Sequence, residues 1–385
     1  MGVWSGPRDA PTSNLRPPTS DLSLGTTRAI VPRMTHVPLI ASVPDPALGA
    51  RVLRRTPLHY DAGADPSIDR PAHVRAGSSM AWVGERLVVV QDDANFLALV
   101  DPRRGAVSAL ALDAGESGLR QFDDVRGNKA HKLDLEACVV VPGAAGSSTL
   151  LALGSGSTAR RESVLVASDL TGPAPSVALR QLPALYAALR AEPAFAGSEL
   201  NVEGALFVAG RDAASAVLRL FGRGNGAARD ALLPRNATCD LDWPALDAHL
   251  AAPAEAPPPL PRDVVQYDLG AIDGVPLGFT DAALLSDGSI LYAAAAEASP
   301  DVTRDGLVAG SVLGVIRVDS RGRPASARHC VVRDGDGSPL AAKVEGVTPS
   351  ADSPSRCWVV VDVDDPGKAS ELCEVELGGP WTGSR

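Results

Sequence analysis

Four short phrases place an acid at the head of an apolar run: Asp134-Leu135-Glu136-Ala137, Asn201-Val202-Glu203-Gly204, Phe279-Thr280-Asp281-Ala282 and Lys343-Val344-Glu345-Gly346. A fifth, Ser78-Ser79-Met80-Ala81, holds the same place ahead of Trp82-Val83, with methionine where the others have the acid. Successive copies lie roughly 55 to 80 residues apart, close to the period of a repeat architecture. Equivalent strands of a closed repeat protein meet near one axis, so Glu136, Glu203, Asp281 and Glu345 are expected to meet there. Two carboxylates about 5 Å apart repel by roughly 3 kcal/mol at an effective dielectric near 20, so such a ring needs compensation. A hard divalent cation, Ca²⁺ or Mg²⁺, would supply it through carboxylate oxygens. Internal pairing with Lys132, Lys343, Arg160, Arg161 or Arg223 would also do so, and a third arrangement turns the acids between strands to cap backbone groups.

Side chains two apart on a strand share a face, which puts Asp134 with Glu136, Asn201 with Glu203 and Lys343 with Glu345. The loops that open on the same side carry Asp92 and Asp93; Ser155, Arg160 and Arg161; Arg223 and Asn225; Glu297; and Asp362, Asp364 and Asp365. Guanidinium groups bind phosphate and carboxylate bidentately, so Arg160, Arg161 and Arg223 are candidates to hold an anionic substrate or ligand. Glu203 is the candidate general base if a metal takes the other acids. Gly222-Arg223-Gly224-Asn225-Gly226 lacks the spacing and following helix of a nucleotide loop and reads as a tight turn. Asp334-Gly335-Asp336-Gly337 is likewise a turn, since Pro339 stands where a calcium loop needs glycine.

The elements that must position these residues are short β-type runs separated by Gly, Asp, Ser and Pro from about residue 75 onward. Leu87–Val90, Phe96–Val100 and Val107–Leu110 form one meander, and Ala137–Val141, Leu150–Leu153, Val164–Ala167 and Ser176–Leu179 a second. Four strands per unit is the composition of a propeller blade. The last unit runs out of chain after three strands, so Val37–Ala41 or Val52–Arg55 is expected to complete it. The chain thus reads as an all-β, five-bladed β-propeller closed by an N-terminal strand, or six-bladed if residues 35–75 supply more than one strand. Two insertions, Pro183–Glu192 and Trp243–Ala251, are helical and are expected on the face of the acids, as a rim or lid.

The 385 residues carry a formal net charge of -10 spread along the chain, with no basic stripe, which argues against nucleic acid or an anionic membrane as partner. Five cysteines without Cys-x-x-Cys spacing suggest reduced thiols and a cytoplasmic protein. Residues 1–33, rich in Pro, Ser, Thr and Arg, are expected to be a disordered extension to a single domain over 34–385, with Met34 an alternative start.

Asp-Leu-Glu-Ala, Leu-Gly-Ser-Gly-Ser-Thr (Leu153–Thr158), Asn-Val-Glu-Gly-Ala and Leu-Phe-Gly-Arg-Gly-Asn-Gly (Leu220–Gly226) together resemble an uncharacterised bacterial β-propeller family. That family is distantly similar to the phytase-like esterase propellers, and its acid-per-blade pattern is similar to that of the calcium-activated nucleotidases. The resemblance spans about residues 75–380. It implies a metal-centred propeller acting on phosphoesters or similar esters, with Glu136, Glu203, Asp281 and Glu345 as ligands or channel residues. The expectation is a metal-dependent hydrolase of phosphate or carboxylate esters. The alternative is a non-catalytic propeller that binds a small anionic ligand or a protein on the same face.

Overall fold

The computed structural model describes residues 37–143, 146–299, 306–363 and 365–383. The N-terminal extension, Met34 and Asp364 lie outside them. Strands β1 (Leu39–Pro44) and β2 (Gly49–Pro57) come first. A first antiparallel meander follows, β3 (Gly77–Val83), β4 (Arg86–Gln91), β5 (Phe96–Asp101) and β6 (Ala106–Ala111). The second is β7 (Leu135–Pro142), β8 (Ser148–Gly154), β9 (Ser163–Ser168) and β10 (Ser176–Gln181). Helices α1 (Pro183–Arg190) and α2 (Pro193–Ala196) lead to the third, β11 (Val202–Val208), β12 (Val217–Gly222) and β13 (Asn236–Asp242), then α3 (Trp243–Ala251) and β14 (Arg262–Asp268). A two-residue β15 (Ala271–Ile272) turns into the fourth, β16 (Val275–Leu284), β17 (Ile290–Glu297), β18 (Val308–Val318) and β19 (Pro324–Arg333). The last is β20 (Lys343–Pro349), β21 (Arg356–Asp362) and β22 (Glu371–Gly378).

Of the two candidate closing segments, β2 is the one that pairs with β22, antiparallel, from Gly49↔Gly378 to Pro57↔Glu371. β1 instead runs parallel between β14 and β19, clasping the third and fourth meanders together. Strands β13 and β19 escape a search for apolar runs because their sequences alternate with polar residues, as in Thr238, Asp240, Arg328 and His329.

Second strands such as Leu87–Val90 and Tyr292–Ala296 are continuous apolar runs because both faces of each sheet are covered by its neighbours. The first strands pack side by side: β3 against β7, β7 against β11, β11 against β16, β16 against β20, and β20 against β3. Small residues permit this approach. A Cβ on Gly346 would stand 3.0 Å from Ser79 Cα and 3.2 Å from Met80 N, backbone that cannot step aside. Between the third and fourth meanders, Phe279 receives Phe221, Tyr267 and Tyr292 edge-on at ring centroid distances of 5.3, 5.2 and 5.4 Å, which locks those two sheets together.

Both expected helices form, α1 starting at Pro183 and α3 at Trp243-Pro244, where Asp242 caps Ala245 N at 3.0 Å. Helices α1 and α2 lead into β11 on the side expected of them, with Tyr186 Oη donating to Gly154 O at 2.8 Å at the end of β8 and Arg190 Nη2 to Gly156 O at 2.6 Å in the loop after it, and only the place of α3 is corrected. Helix α3 joins β13 to β14 and packs on the Ala213–Ser215 turn between β11 and β12. Leu185, Tyr186, Leu189 and Phe195 of α1 and α2 are spent in the core. No helix among the described residues is long and apolar enough to cross a membrane.

Candidate functional site

A β-bulge interrupts each of the five first strands, near the start of four and in the middle of β16. The residue skipped by the pairing register is Ser78 in β3, Glu136 in β7, Glu203 in β11, Thr280 in β16 and Glu345 in β20. These are the structurally equivalent positions, and they shift the expected alignment by one residue in the fourth unit and by two in the first. Thr280, not Asp281, is the counterpart of the three glutamates, and Ser78, not Met80, completes the set. Hydrogen bonds support the correction. Ser78 Oγ donates to Leu135 O, and Thr280 Oγ1 donates to Val344 O at 2.7 Å, in each case the carbonyl just before the next unit's bulge. One residue on, Ser79 Oγ accepts from Cys138 N at 3.0 Å and Asp281 Oδ2 from Val347 N at 2.9 Å, again equivalent contacts. Asp281 therefore caps a neighbouring strand. It does not line the cavity described next, and burial pushes its carboxyl well above the usual range.

The starts of the first strands and the loops above them enclose a polar cavity into which Asp92, Asp134, Glu136, Glu203, Glu297 and Glu345 converge with Lys132, Arg161, Arg223 and Lys343. Six carboxylates against four cations leave a formal excess of two negative charges. On one side Lys132 Nζ bridges Asp92 and Asp134, the latter at 2.7 Å, and Arg161 reaches Asp134 Oδ2 at 3.0 Å. Ser155 Oγ also donates to Asp134. On the other side Arg223 bridges Glu203 at 3.4 Å and Glu297 at 2.7 Å, while Lys343 bridges Glu297 at 3.1 Å and Glu345 at 2.6 Å. Asn201 Nδ2 donates to Glu203 Oε1 at 2.6 Å.

Glu136 is the exception. Among the described residues no hydrogen bond or ion pair reaches it, yet its carboxylate lies in a group with those of Asp92 and Asp134, all within 4.8 Å of one another. Burial, then the charges of Asp92, Asp134 and Glu203, push its carboxyl well above the ordinary range. Glu203 is pushed up to about 8, mainly by burial, which Arg223 only partly offsets. Glu297 shows the opposite result: burial opposes its charge, but Lys343 and Arg223 outweigh it and hold it at about 2. For Asp134 too, Lys132 and Arg161 outweigh burial and lower the value.

Among the described residues, five buried polar atoms of the cavity side chains lack a partner: Asp92 Oδ1, Asp93 Oδ1, Glu345 Oε2, Arg161 Nε and Arg223 Nε. The orphaned acceptors are hard oxygens beside an unpaired carboxylate, a donor set that fits Ca²⁺ or Mg²⁺. Arg160 is exposed and lies outside the lining, so the structure brings together Arg161 and Arg223 but not Arg160.

Behind the cavity Arg75, 2 % exposed, binds Asp93 at 2.5 Å, Asp123 at 3.0 Å and Gln121 Oε1 at 3.0 Å. It ties the Asp92-Asp93 loop to the segment that follows β6. Nothing in its sequence context marks Arg75, which precedes the first phrase and sits in no apolar run. Lys132 and Lys343 were visible two positions from an acid, but their bridging of paired carboxylates depends on the bulge.

A family of unknown function (DUF6929) matches residues 73–377. The chain belongs to this family. The DUF6929 span holds every cavity residue from Arg75 to Asp365 and leaves β1 and β2 outside it. No curated protein matches the chain. Among solved structures, a luciferin-regenerating enzyme is 11% identical with a TM-score of 0.38, covering 80% of this chain and 94% of its own. A GH43 β-1,3-galactosidase is 11% identical at 0.43, covering 83% and 59%. The calcium-binding protein regucalcin from Agrobacterium tumefaciens is 12% identical at 0.34, covering 90% and 98%. Likeness of this degree assigns no chemistry to the DUF6929 chain.

Proposed function

We propose that the meanders are the blades of a five-bladed β-propeller closed through β2, and that its cavity serves a divalent-cation-dependent hydrolase of phosphate or carboxylate esters. The cyclic order of the first strands supports the blade count. The observation that carries the function is Glu136, an unpaired carboxylate beside Asp92 and Asp134 in a site with two negative charges in excess. Asp92, Asp134 and Glu136 would hold the ion, with Glu203 and Glu345 facing it; Asp281, bonded to Val347 N, leaves the ligand set. When bound, a divalent cation would polarise the ester oxygen and ease ionisation of water.

The chain's own groups account for the rest. Glu203 is oriented through one oxygen by Asn201 and Arg223, so its remaining oxygen is the one placed to take a proton. Its value near 8 keeps that proton on the ion-free protein at neutral pH, and added positive charge in the cavity favours its release. Arg161 and Arg223 are fixed by carboxylates and line the cavity where an ester oxygen would enter. The pairing of all four inner cations with carboxylates favours a second reading, a non-catalytic module that binds a protein on the same face, or a small anionic ligand only when a bound ion is there to hold it.

The test is titration of chelator-treated protein with Ca²⁺ and Mg²⁺ by calorimetry, alongside hydrolysis of p-nitrophenyl phosphate and p-nitrophenyl acetate. One ion per chain, lost in Glu136→Gln, with hydrolysis only when the ion is present, is expected. Neither binding at millimolar ion nor hydrolysis would leave the binding module in its place.

A further inference from the structure

The chain has 6 histidines in 385 residues, and two of them meet away from the cavity. His59 follows the closing strand β2, His73 precedes β3, and the two stand opposite each other in an isolated antiparallel bridge. The flanking hydrogen bonds define the bridge: Tyr60 N donates to Ala72 O at 3.0 Å and Val74 N to Leu58 O at 2.9 Å, so no backbone bond joins His59 to His73 themselves. Opposed residues of this kind have the closest side chains of an antiparallel ladder, with Cα atoms about 4.5 Å apart. Leu58, Tyr60 and Val74 are buried in the core, so strand alternation puts both imidazoles on the outer face. The rings meet edge-on, with centroids 6.1 Å apart and planes at 72°.

One ring is already oriented. His73 Nε2 lies 3.3 Å from Pro366 O. A carbonyl oxygen only accepts, so Nε2 carries the proton and Nδ1 keeps its lone pair. Metal-binding histidines are ordinarily held this way, by donating the other N–H to a carbonyl or carboxylate. His59 is exposed, and among the described residues only His73 engages it. Burial is first among the causes that hold His73 below its ordinary value, so the ring is neutral near pH 7. Asp365, beside His73, is taken by Gly367 N at 2.9 Å and Lys368 at 3.1 Å, which leaves the donor set as two nitrogens. An ion shared by two imidazoles lies about 2 Å from each nitrogen, with the ring centroids roughly 5 Å apart. Rotation of the exposed His59 side chain closes the remaining gap. Imidazole suits Zn²⁺, Ni²⁺ and Cu²⁺, whereas the oxygen-lined cavity suits Ca²⁺ or Mg²⁺.

The pair also sits at a seam. Leu58 N donates to Ser370 O and Ser370 N to Val74 O, each at 2.9 Å, so this stretch ties the last meander to the entry of the first. We propose that His59 and His73 chelate one late first-row divalent ion, Zn²⁺, Ni²⁺ or Cu²⁺, with water in its remaining positions, and that the ion clips the exit of β2 to the entry of β3. The site is independent of the hydrolase reading.

The test is calorimetric titration of the full chain with each of the three ions in millimolar Mg²⁺, with thermal unfolding alongside. One ion per chain is expected, tightest for Cu²⁺, whose electron paramagnetic resonance spectrum should show nitrogen coupling. Affinity should fall by about 10-fold or more in His59→Asn and in His73→Asn, the scale on which changes at a metal site register, and persist in Glu136→Gln. The bound ion should raise the thermal midpoint of the wild type but not of His59→Asn. Since His59 is exposed, that variant should match the wild type without the ion, which checks its folding. No binding at submillimolar Cu²⁺ would overturn the proposal, as would binding that survives both histidine substitutions or vanishes in Glu136→Gln. Binding that leaves the midpoint unmoved would refute the clip.

Discussion

Replacing Glu203 by Gln removes a charge while keeping the oxygen that accepts from Asn201 and Arg223, so it isolates the electrostatic cost of the site. Burial raises this carboxyl from an ordinary 4.5 to about 8. A folded state that holds a proton more tightly than the unfolded chain is most stable below the unfolded pKa, and that contribution is lost as pH rises through the folded value. For Glu203 the window runs from about 4.5 to about 8. The size follows from the shift: at about 1.4 kcal/mol per pH unit, the wild type loses on the order of 5 kcal/mol across it. Glutamine stands in for the protonated acid and carries no such loss. Urea unfolding of chelator-treated protein at pH 5, 7 and 9 should therefore show the two proteins matched at pH 5 and the variant more stable at pH 9. The variant keeps some slope, because Asp93, pushed up to about 7 by burial and Asp92, and Glu136 titrate in the same sense. Glu297, held near 2, contributes nothing to the slope in this range. A variant no more stable than wild type at pH 9, with an unchanged slope, would refute the account of Glu203 as a strained acid.

Asp281→Ala should cost roughly 1 to 3 kcal/mol by orphaning the Val347 amide, while Asp281→Asn, which keeps an acceptor and suits a site that favours the uncharged form, should cost less. Urea unfolding measures both, and calorimetry should find cation binding intact in the Asn variant; loss of binding there would return Asp281 to the ligand set. Arg75→Met fills similar space but strands Asp93 and leaves Asp123 to Arg126 alone, and roughly 3 to 5 kcal/mol should be lost in the same assay. Unchanged stability would mean the Arg75 network holds nothing in place. Gly346→Ala drives a methyl toward the Ser79 and Met80 backbone and should cost about 1 to 3 kcal/mol, visible as a lowered thermal midpoint.

The meander strands were legible because a buried sheet writes its second strands as unbroken apolar runs, and Leu87–Val90, Leu150–Leu153 and Val359–Val361 are all of that kind. Register was less legible. A bulge adds one residue without changing composition, so a phrase aligned on its acids puts Asp281 with Glu136, whereas the pairing puts Thr280 there. The consequence is chemical. Where the bulged residue is a hydroxyl, as at Ser78 and Thr280, it closes onto the next strand's carbonyl, and the residue after it, Ser79 or Asp281, caps that strand's amide. Where it is a glutamate, the residue after it is Ala137, Gly204 or Gly346, none of which has a polar side chain to cap with. Sequence thus encodes two kinds of inner strand, one that seals to its neighbour and one that presents a carboxylate to the cavity. The glutamates of β7, β11 and β20 have Asp134, Asn201 and Lys343 two residues ahead of them, whereas Ser78 and Thr280 have Ala76 and Gly278 at that position. A carboxylate at the bulge and a polar residue two before it occur together or not at all, which is the pattern expected when three strands present groups to the cavity and two bond to their neighbours.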